Sequence, residues 1–188
     1  MKTEILIKLI FVIFHISVTR LYLIFVRRKY GQQSSISGAA KNLKRDGLSV
    51  LVFLFIWLGM CSIIYVTQSY LMVISGSLII VIGTVTGYND NFEGKFQDSL
   101  HVGCATSSMA LLIADVILKI INHFKQSHSW AAILLICAAG FVLSYTAYLL
   151  ITKAKNRTWK IEDAFLWLLY FYAPFQYILI DMVLYKTQ

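Results

Sequence analysis

The sequence predicts an all-α, polytopic membrane protein, folded as a bundle of six transmembrane helices. Of its 188 residues, 59% are hydrophobic and 14% are charged, whereas soluble domains are about half apolar and about a quarter charged. The apolar residues form six continuous stretches, each close to the ~20 residues that cross a bilayer as a helix. A soluble core of this size cannot bury so much apolar surface, so we expect the excess to face lipid.

The six predicted spans are continuous apolar runs within a single transmembrane domain. They cover residues 4–26, 48–66, 70–87, 100–122, 130–152 and 163–185. Only helices and closed barrels satisfy backbone polar groups in lipid, and barrel strands alternate in hydrophobicity, so the runs predict helices. "TQS" alone separates the second and third spans, which predicts a tight helical hairpin. Pro174, inside the last span, is expected to kink it.

The basic loops predict the orientation. Residues 27–47 carry six Lys and Arg residues against Asp46 alone, and the fifth loop carries Lys153, Lys155, Arg157 and Lys160. Four spans separate these loops, so six spans place both on one side, the cytoplasmic side by the positive-inside rule. We expect an integral protein of the bacterial inner membrane with both termini outside. The same rule accounts for the net charge of +8 without a nucleic-acid partner.

A cytoplasmic polar patch is predicted around the loop 88–101, which falls between the two basic loops. Its members are polar residues of this loop and of "SSIS" in the first loop: Ser37, Asp90, Glu93, Asp98 and His101. In one interpretation the acids pair with the basic loops. In the other, Asp98 hydrogen-bonds His101 and raises the basicity of the imidazole, which then binds a headgroup phosphate or acts as a general base.

Four ionisable residues form a predicted intramembrane charge cluster: Lys8, Asp115, Lys119 and Asp181. Asp115 and Lys119 are four residues apart on one helix, so they can pair. Ionisable groups inside a membrane are costly unless paired. The cluster therefore either holds three helices together or lines a polar path for protons or ions.

Small residues at the cytoplasmic ends of the third and fourth spans predict close helix packing. Gly83 and Gly87 make a GxxxG pair, and Gly103 and Ser107 repeat the spacing. This spacing lets helix backbones approach each other. The two pairs fit a contact between these helices or a contact with another copy of the chain.

No metal or cofactor is expected. Cys61, Cys104 and Cys137 lie in three different spans without a CxxC spacing, so they behave as small hydrophobes. The histidines His101, His123 and His128 fall at opposite ends of the fourth span and its following loop, which argues against an intramembrane zinc site.

Three short motifs carry a resemblance to a known family: "SSISG" after the first span, "GTVTG" at the end of the third, and "DSLHVG" leading into the fourth. Over about residues 30–185 the chain resembles small six-helix prokaryotic membrane proteins that are distantly similar to Frag-type proteins of lipid-anchor remodelling. "TGYND" stands where that family has a Gly-x-Pro turn. The resemblance implies association with lipid and marks Ser37 and His101 as shared polar residues.

These patterns together favour a lipid-associated, non-catalytic membrane protein whose working face is the cytoplasmic polar patch. Its expected partners are membrane lipids, with anionic headgroups drawn by the basic loops, and a second copy of the chain. The alternative is an oligomeric channel or membrane-permeabilising effector that conducts through the intramembrane charge cluster. An intramembrane hydrolase using Ser37 and His101 is less well supported, because no nucleophile-elbow motif is present.

Overall fold

The described chain is built from helices joined by short turns. A computed structural model describes residues 2–33, 35–36, 38–88 and 95–185. The helices are α1 (Lys2–Tyr30), α2 (Gly38–Arg45), α3 (Ser49–Thr67), α4 (Tyr70–Tyr88), α5 (Lys95–Lys125), α6 (Ser129–Ile151), α7 (Arg157–Pro174) and α8 (Ile180–Tyr185), with a π-helical segment Phe175–Leu179 between the last two. The predicted all-α class is confirmed for these residues.

All six predicted spans are helical, but fewer have the length and apolarity of a membrane-crossing helix. Within the described residues, four segments do: Thr3–Tyr30, Val50–Thr67, Ser99–Lys125 and Ser129–Ile151. The described apolar part of α4, Tyr70–Val81, is shorter, and the sixth stretch is divided by its π-helical segment. Four candidate spans are compatible with a membrane protein, whereas a complete six-span bundle is not confirmed.

Helix α2 is an element that the sequence analysis did not predict. It is a short amphipathic helix in the first basic loop, and its Ala39 and Leu43 side chains are fully buried. They pack in one apolar cluster with Trp159 at the start of α7. The first and fifth loops, both basic, therefore lie at the same end of the molecule, which is referred to below as the basic end.

Asp46, directly after α2, links the end of that helix to the end of α1. Its carboxylate accepts a hydrogen bond from the Tyr30 hydroxyl at 2.9 Å and contacts the Lys29 ammonium at 3.0 Å. The Lys29 and Tyr30 hydrogen bonds stabilise the ionised carboxylate and hold the pKa of Asp46 below its ordinary value.

The outer surface of the helices is apolar. Leu21, Phe141 and Ile151 are 66%, 73% and 81% exposed, and many other large hydrophobic side chains of α1, α3, α5 and α6 are also exposed. Continuous apolar surface on this scale is rare in soluble monomers. It is the surface expected of helices that face lipid.

Pro174 produces the π-helical segment in the last predicted span. Proline lacks an N–H and its ring clashes with the preceding turn, and the chain accommodates it by widening to π-helix over Phe175–Leu179. Residues five apart point roughly 140° apart in an α-helix, but i→i+5 hydrogen bonding brings them towards one side. The predicted kink is thus a bulge, and it turns Tyr177 onto the side of Tyr172.

Helices α3 and α4 form the predicted hairpin. Gln68, in the left-handed conformation with φ 47°, ends α3 and donates its N–H to the Ile64 carbonyl. Further along the hairpin, Gly76 of α4 lies against Ile64 of α3. A Cβ at position 76 would be 2.8 Å from Ile64 Cδ1 and 2.9 Å from its Cγ1, so the Ile64 side chain occupies the space that a larger residue at position 76 would need.

Replacement of Gly76 by alanine should loosen this hairpin. The added methyl group overpacks against Ile64, at an expected cost of about 1–3 kcal/mol in the free energy of unfolding. Gly140→Ala is the matched control, because a Cβ there meets nothing within 4 Å and should stabilise α6 by about 0.5–1 kcal/mol. The measurement is denaturant unfolding in detergent micelles.

The double variant Gly76→Ala/Ile64→Val lacks the Cδ1 atom that the new methyl group contacts. It should recover part of the free energy of unfolding that Gly76→Ala loses. Equal unfolding midpoints for Gly76→Ala and Gly140→Ala would contradict the close approach.

Candidate functional site

A cavity of about 160 Å³ lies inside the bundle and runs inwards from the basic end. Five helices and the loop before α2 enclose it. Its lining is apolar apart from a few polar side chains, and comprises Tyr22, Ile36, Val52, Phe55, Ile56, Met60, Ile63, Met72, Ser75, Gly76, Ile79, His101, Ala105, Ser108, Met109, Leu112, Glu162, Phe165, Leu166 and Leu169.

The mouth of the cavity carries a carboxylate and an imidazole. Glu162 stands about one and a half turns into α7 and His101 nearly two turns into α5, both near the basic end. The Glu162 carboxylate accepts a hydrogen bond from the backbone N–H of Ile36, with a nitrogen–oxygen distance of 2.5 Å. This bond ties the serine-containing loop between α1 and α2 to α7, so the loop, α5 and α7 frame one opening.

The wall between α4 and α5 is held by two serines. The Ser75 and Ser108 hydroxyls are 2.7 Å apart, and each lies within hydrogen-bond distance of the backbone carbonyl of the other, at 3.0 and 3.1 Å. Since each hydroxyl has one proton, one serine donates to the other, which in turn donates to a carbonyl. Both side chains are buried. Hydrogen bonds of this kind satisfy hydroxyls that would otherwise be costly to bury, and they fix the separation of the two helices.

The floor of the cavity is buried hydrocarbon. Ile63, Met72, Leu112 and Leu169 are all less than 9% exposed and belong to the main apolar cluster. The methionines Met60, Met72 and Met109 contribute to the lining. Methionine side chains are unbranched and adaptable, so the shape of the floor can follow its contents.

Of the predicted cytoplasmic polar patch, the structure places His101 at the cavity mouth. Ser37, Asp90 and Glu93 lie outside the described residues. Asp98 is part of α5, but its side chain is not among those described, so the predicted Asp98–His101 hydrogen bond stays a prediction.

The predicted packing through small residues is corrected at one of its two pairs. Gly103 and Ser107 are exposed, and a Cβ at Gly103 would meet nothing within 4 Å. Ser75 and Ser108 make the described α4–α5 contact instead, since they lie on the facing sides of those helices. Gly83 and Gly87 belong to α4, beyond its described side chains. For the exposed pair Gly103 and Ser107, a contact with another copy of the chain is the interpretation that stays a prediction.

Asp115 forms a separate polar cluster at the other end of the bundle. Its side chain is buried, and its carboxylate accepts hydrogen bonds from the hydroxyls of Ser69 at 2.6 Å, Tyr172 at 2.5 Å and Tyr177 at 3.0 Å. Tyr172 is fully buried, and the π-helical segment brings Tyr177 beside it. Three donors from the α3–α4 turn, α7 and the π-helical segment therefore converge on one carboxylate of α5.

This arrangement differs from the predicted intramembrane charge cluster. Within the described residues, Lys119 forms no ion pair with Asp115; its ammonium lies 5.1 Å from the centroid of the Tyr177 ring, as a cation–π contact. Lys8 contacts Glu4, four residues earlier on α1, at 3.4 Å. The side chain of Asp181 is outside those described. The Asp115 carboxylate is bound by the hydroxyls of Ser69, Tyr172 and Tyr177, which lie at hydrogen-bond distance, and not by the Lys119 ammonium.

Sequence reasoning missed Glu162 and the two tyrosines. Glu162 and Asp163 are adjacent in "WKIEDAFLW", and the sequence does not show that only the first of these two acids lines the internal cavity. Tyr172 and Tyr177 flank Pro174, but their convergence depends on the bulge, which the sequence pattern does not specify.

Comparison of the chain with protein-family models, curated proteins and solved structures found no match. The resemblance to Frag-type proteins therefore stays a prediction carried by its three motifs. Among the described residues, no group of three or more His, Cys, Asp or Glu side chains is placed to hold a metal ion.

A double-mutant cycle tests the hydroxyl partners of Asp115. Tyr172→Phe should lower the free energy of unfolding by about 1.5–3 kcal/mol, the range for hydrogen bonds to charged groups, and should have little effect once Asp115→Ala is present. Lys119→Met should have nearly the same effect with and without Asp115→Ala. The measurement is denaturant unfolding in micelles, with the exposed Tyr148→Phe as control.

A stronger coupling of Asp115 to Lys119 than to Tyr172 would contradict this geometry and restore the ion pair expected from the sequence.

Proposed function

We propose that this chain is an integral membrane protein that binds lipid without chemical turnover, by admitting an apolar chain into the cavity between its helices. The observation that carries the proposal is the cavity itself: an apolar interior, closed by Ile63, Met72 and Leu112, with Glu162 and His101 at its mouth. An amphiphile has the same division, with a hydrocarbon chain at one end and a polar head at the other.

The size and lining of the cavity favour a slender hydrocarbon. Its volume of about 160 Å³ is close to that of an engineered apolar cavity of ~150 Å³ that stays dry and binds benzene. Ligand sites for larger molecules run from about 300 Å³ upwards. The cavity therefore fits the end of one acyl chain, and movement of its methionines would lengthen the space.

The polar groups of the cavity favour binding over catalysis. Glu162 is engaged by the Ile36 N–H, and the Ser75 and Ser108 hydroxyls are engaged with each other and with backbone carbonyls. Groups held in this way shape and close a site. A headgroup outside the mouth would meet the basic end of the bundle, where Lys and Arg attract anionic lipid.

The conducting alternative assigns a different role to Asp115. That carboxylate accepts hydrogen bonds from three hydroxyls, and Asp115 is not among the residues that line the cavity, which favours a role in stabilising the bundle. Ion flux through liposomes that contain the purified chain would support the channel, above all if Asp115→Asn abolished the flux.

The lipid proposal predicts that filling the cavity expels lipid. Ala105→Phe places a ring in the cavity, whereas Ala110→Phe adds the same ring to an exposed position of the same helix. After exhaustive detergent exchange, the lipid retained per protein, measured by mass spectrometry of an organic extract, should fall severalfold in Ala105→Phe and stay unchanged in Ala110→Phe.

Equal retention by wild type, Ala105→Phe and Ala110→Phe, with all three folded by circular dichroism, would refute binding in the cavity.

A further inference from the structure

A second concave site lies on the outside of the bundle, between α6, α7 and the end of α1. This groove has a volume of about 540 Å³, within the range of ligand-binding sites. It shares no lining residue with the internal cavity. Its lining residues are Arg27, Gln32, Ala138, Phe141, Val142, Tyr145, Trp159, Lys160, Asp163, Ala164, Trp167, Leu168 and Phe171.

The charges of the groove are concentrated at the basic end and do not cancel. Arg27 and Lys160 both line it, and within the described residues neither contacts a carboxylate. Asp163 also lines the groove, but its carboxylate is bound by Arg20 at 2.8 Å. Among the side chains that the structure describes, the two positive charges at the mouth of the groove therefore have no counter-charge.

Arg20 is engaged by an acid and two aromatic rings of the protein. Its guanidinium lies 4.0 Å from the centroid of the Trp167 ring and 4.8 Å from that of Tyr170, while it donates to Asp163. Rings stacked on a guanidinium stabilise its charge by cation–π attraction. Asp163, which lines the groove, is thus neutralised by Arg20, and Arg27 and Lys160 supply the net charge of the groove.

Away from the charges, the groove is apolar. Its lining there includes the small side chains Ala138 and Ala164 and the rings of Phe141 and Phe171. Lys160 and Phe171 are 11 residues apart on α7, which corresponds to roughly 16 Å along a helix. This length matches one leaflet of a bilayer, about half of its ~30 Å hydrocarbon thickness.

We propose that this groove binds one anionic phospholipid, with its phosphate between Arg27 and Lys160 and an acyl chain along α6 and α7. Charge complementarity selects the occupant: two unmatched cations at the mouth favour a headgroup of net negative charge over a zwitterionic one. The inference rests on the membrane location proposed above, but not on occupancy of the internal cavity.

The test measures lipid selectivity. The full chain is placed in micelles that contain equal amounts of phosphatidylglycerol and phosphatidylcholine with identical acyl chains, and bound lipids are identified by native mass spectrometry. Wild type should bind more phosphatidylglycerol than phosphatidylcholine. In Arg27→Gln/Lys160→Gln the ratio of the two bound lipids should fall about tenfold, because each cation near the surface strengthens the binding of an anionic lipid severalfold. The preference of wild type should also fall as salt is raised.

Lys153→Gln/Lys155→Gln is the matched control, because it removes the same charge from the same basic end outside the groove. An equal loss in the control would overturn the groove site and leave only a diffuse attraction of the basic end. A further variant, Ala138→Phe, keeps the charge and fills the apolar part of the groove, and should reduce bound phosphatidylglycerol.

The outcome is independent of the cavity proposal. Ala105→Phe should leave the preference for phosphatidylglycerol unchanged even where it expels the cavity lipid. An unaltered preference in both Arg27→Gln/Lys160→Gln and Ala138→Phe would refute the groove site.

Discussion

An apolar exterior is the constraint on which the rest of this structure depends. The helices present apolar side chains such as Leu21 and Phe141 outwards, so the buried polar groups that do hydrogen-bond find their partners on neighbouring elements of the protein. Asp115 finds three hydroxyls, Ser75 and Ser108 find each other, and Arg20 finds Asp163 between two rings. Each of these contacts joins different helices. The polar groups therefore determine how an otherwise uniform set of apolar helices is arranged.

The two proposed lipid sites follow from the same arrangement. The Ser75–Ser108 pair holds α4 against α5, and Gly76 lets α4 pack against Ile64 of α3. The hydrogen bond from the Ile36 N–H to Glu162 anchors the first loop to α7. The internal cavity is the space enclosed by these contacts. On the outer side of α7, Asp163 is neutralised by Arg20, so the neighbouring groove takes its charge from Arg27 and Lys160. Glu162 and Asp163, adjacent in sequence, thus face two different sites.

The all-α class could be predicted from apolar run length, and four of the six predicted stretches have the length and apolarity of a membrane-crossing helix. The shared end of the two basic loops also followed from the even number of helical stretches between them, and Trp159 packs with Leu43 there. Partners across helices could not be predicted. The spacing of Asp115 and Lys119 favoured an ion pair, but Asp115 accepts from Ser69 and Tyr172 on other elements, and the π-helical segment after Pro174 adds Tyr177. Gly103 and Ser107 had the right spacing for helix packing, but helix rotation directs them outwards and Ser108 inwards.

Photo-crosslinking in nanodiscs tests most directly whether the cavity holds a lipid chain. The probe is a phospholipid with a diazirine near the methyl end of one acyl chain, and the labelled residues are mapped by peptide mass spectrometry. The cavity account predicts labelling at floor residues such as Ile63, Met72 or Leu112, competed by unlabelled lipid and lost in Ala105→Phe. Labelling confined to outward residues such as Leu118, which is 51% exposed, with the same yield in Ala105→Phe, would contradict it.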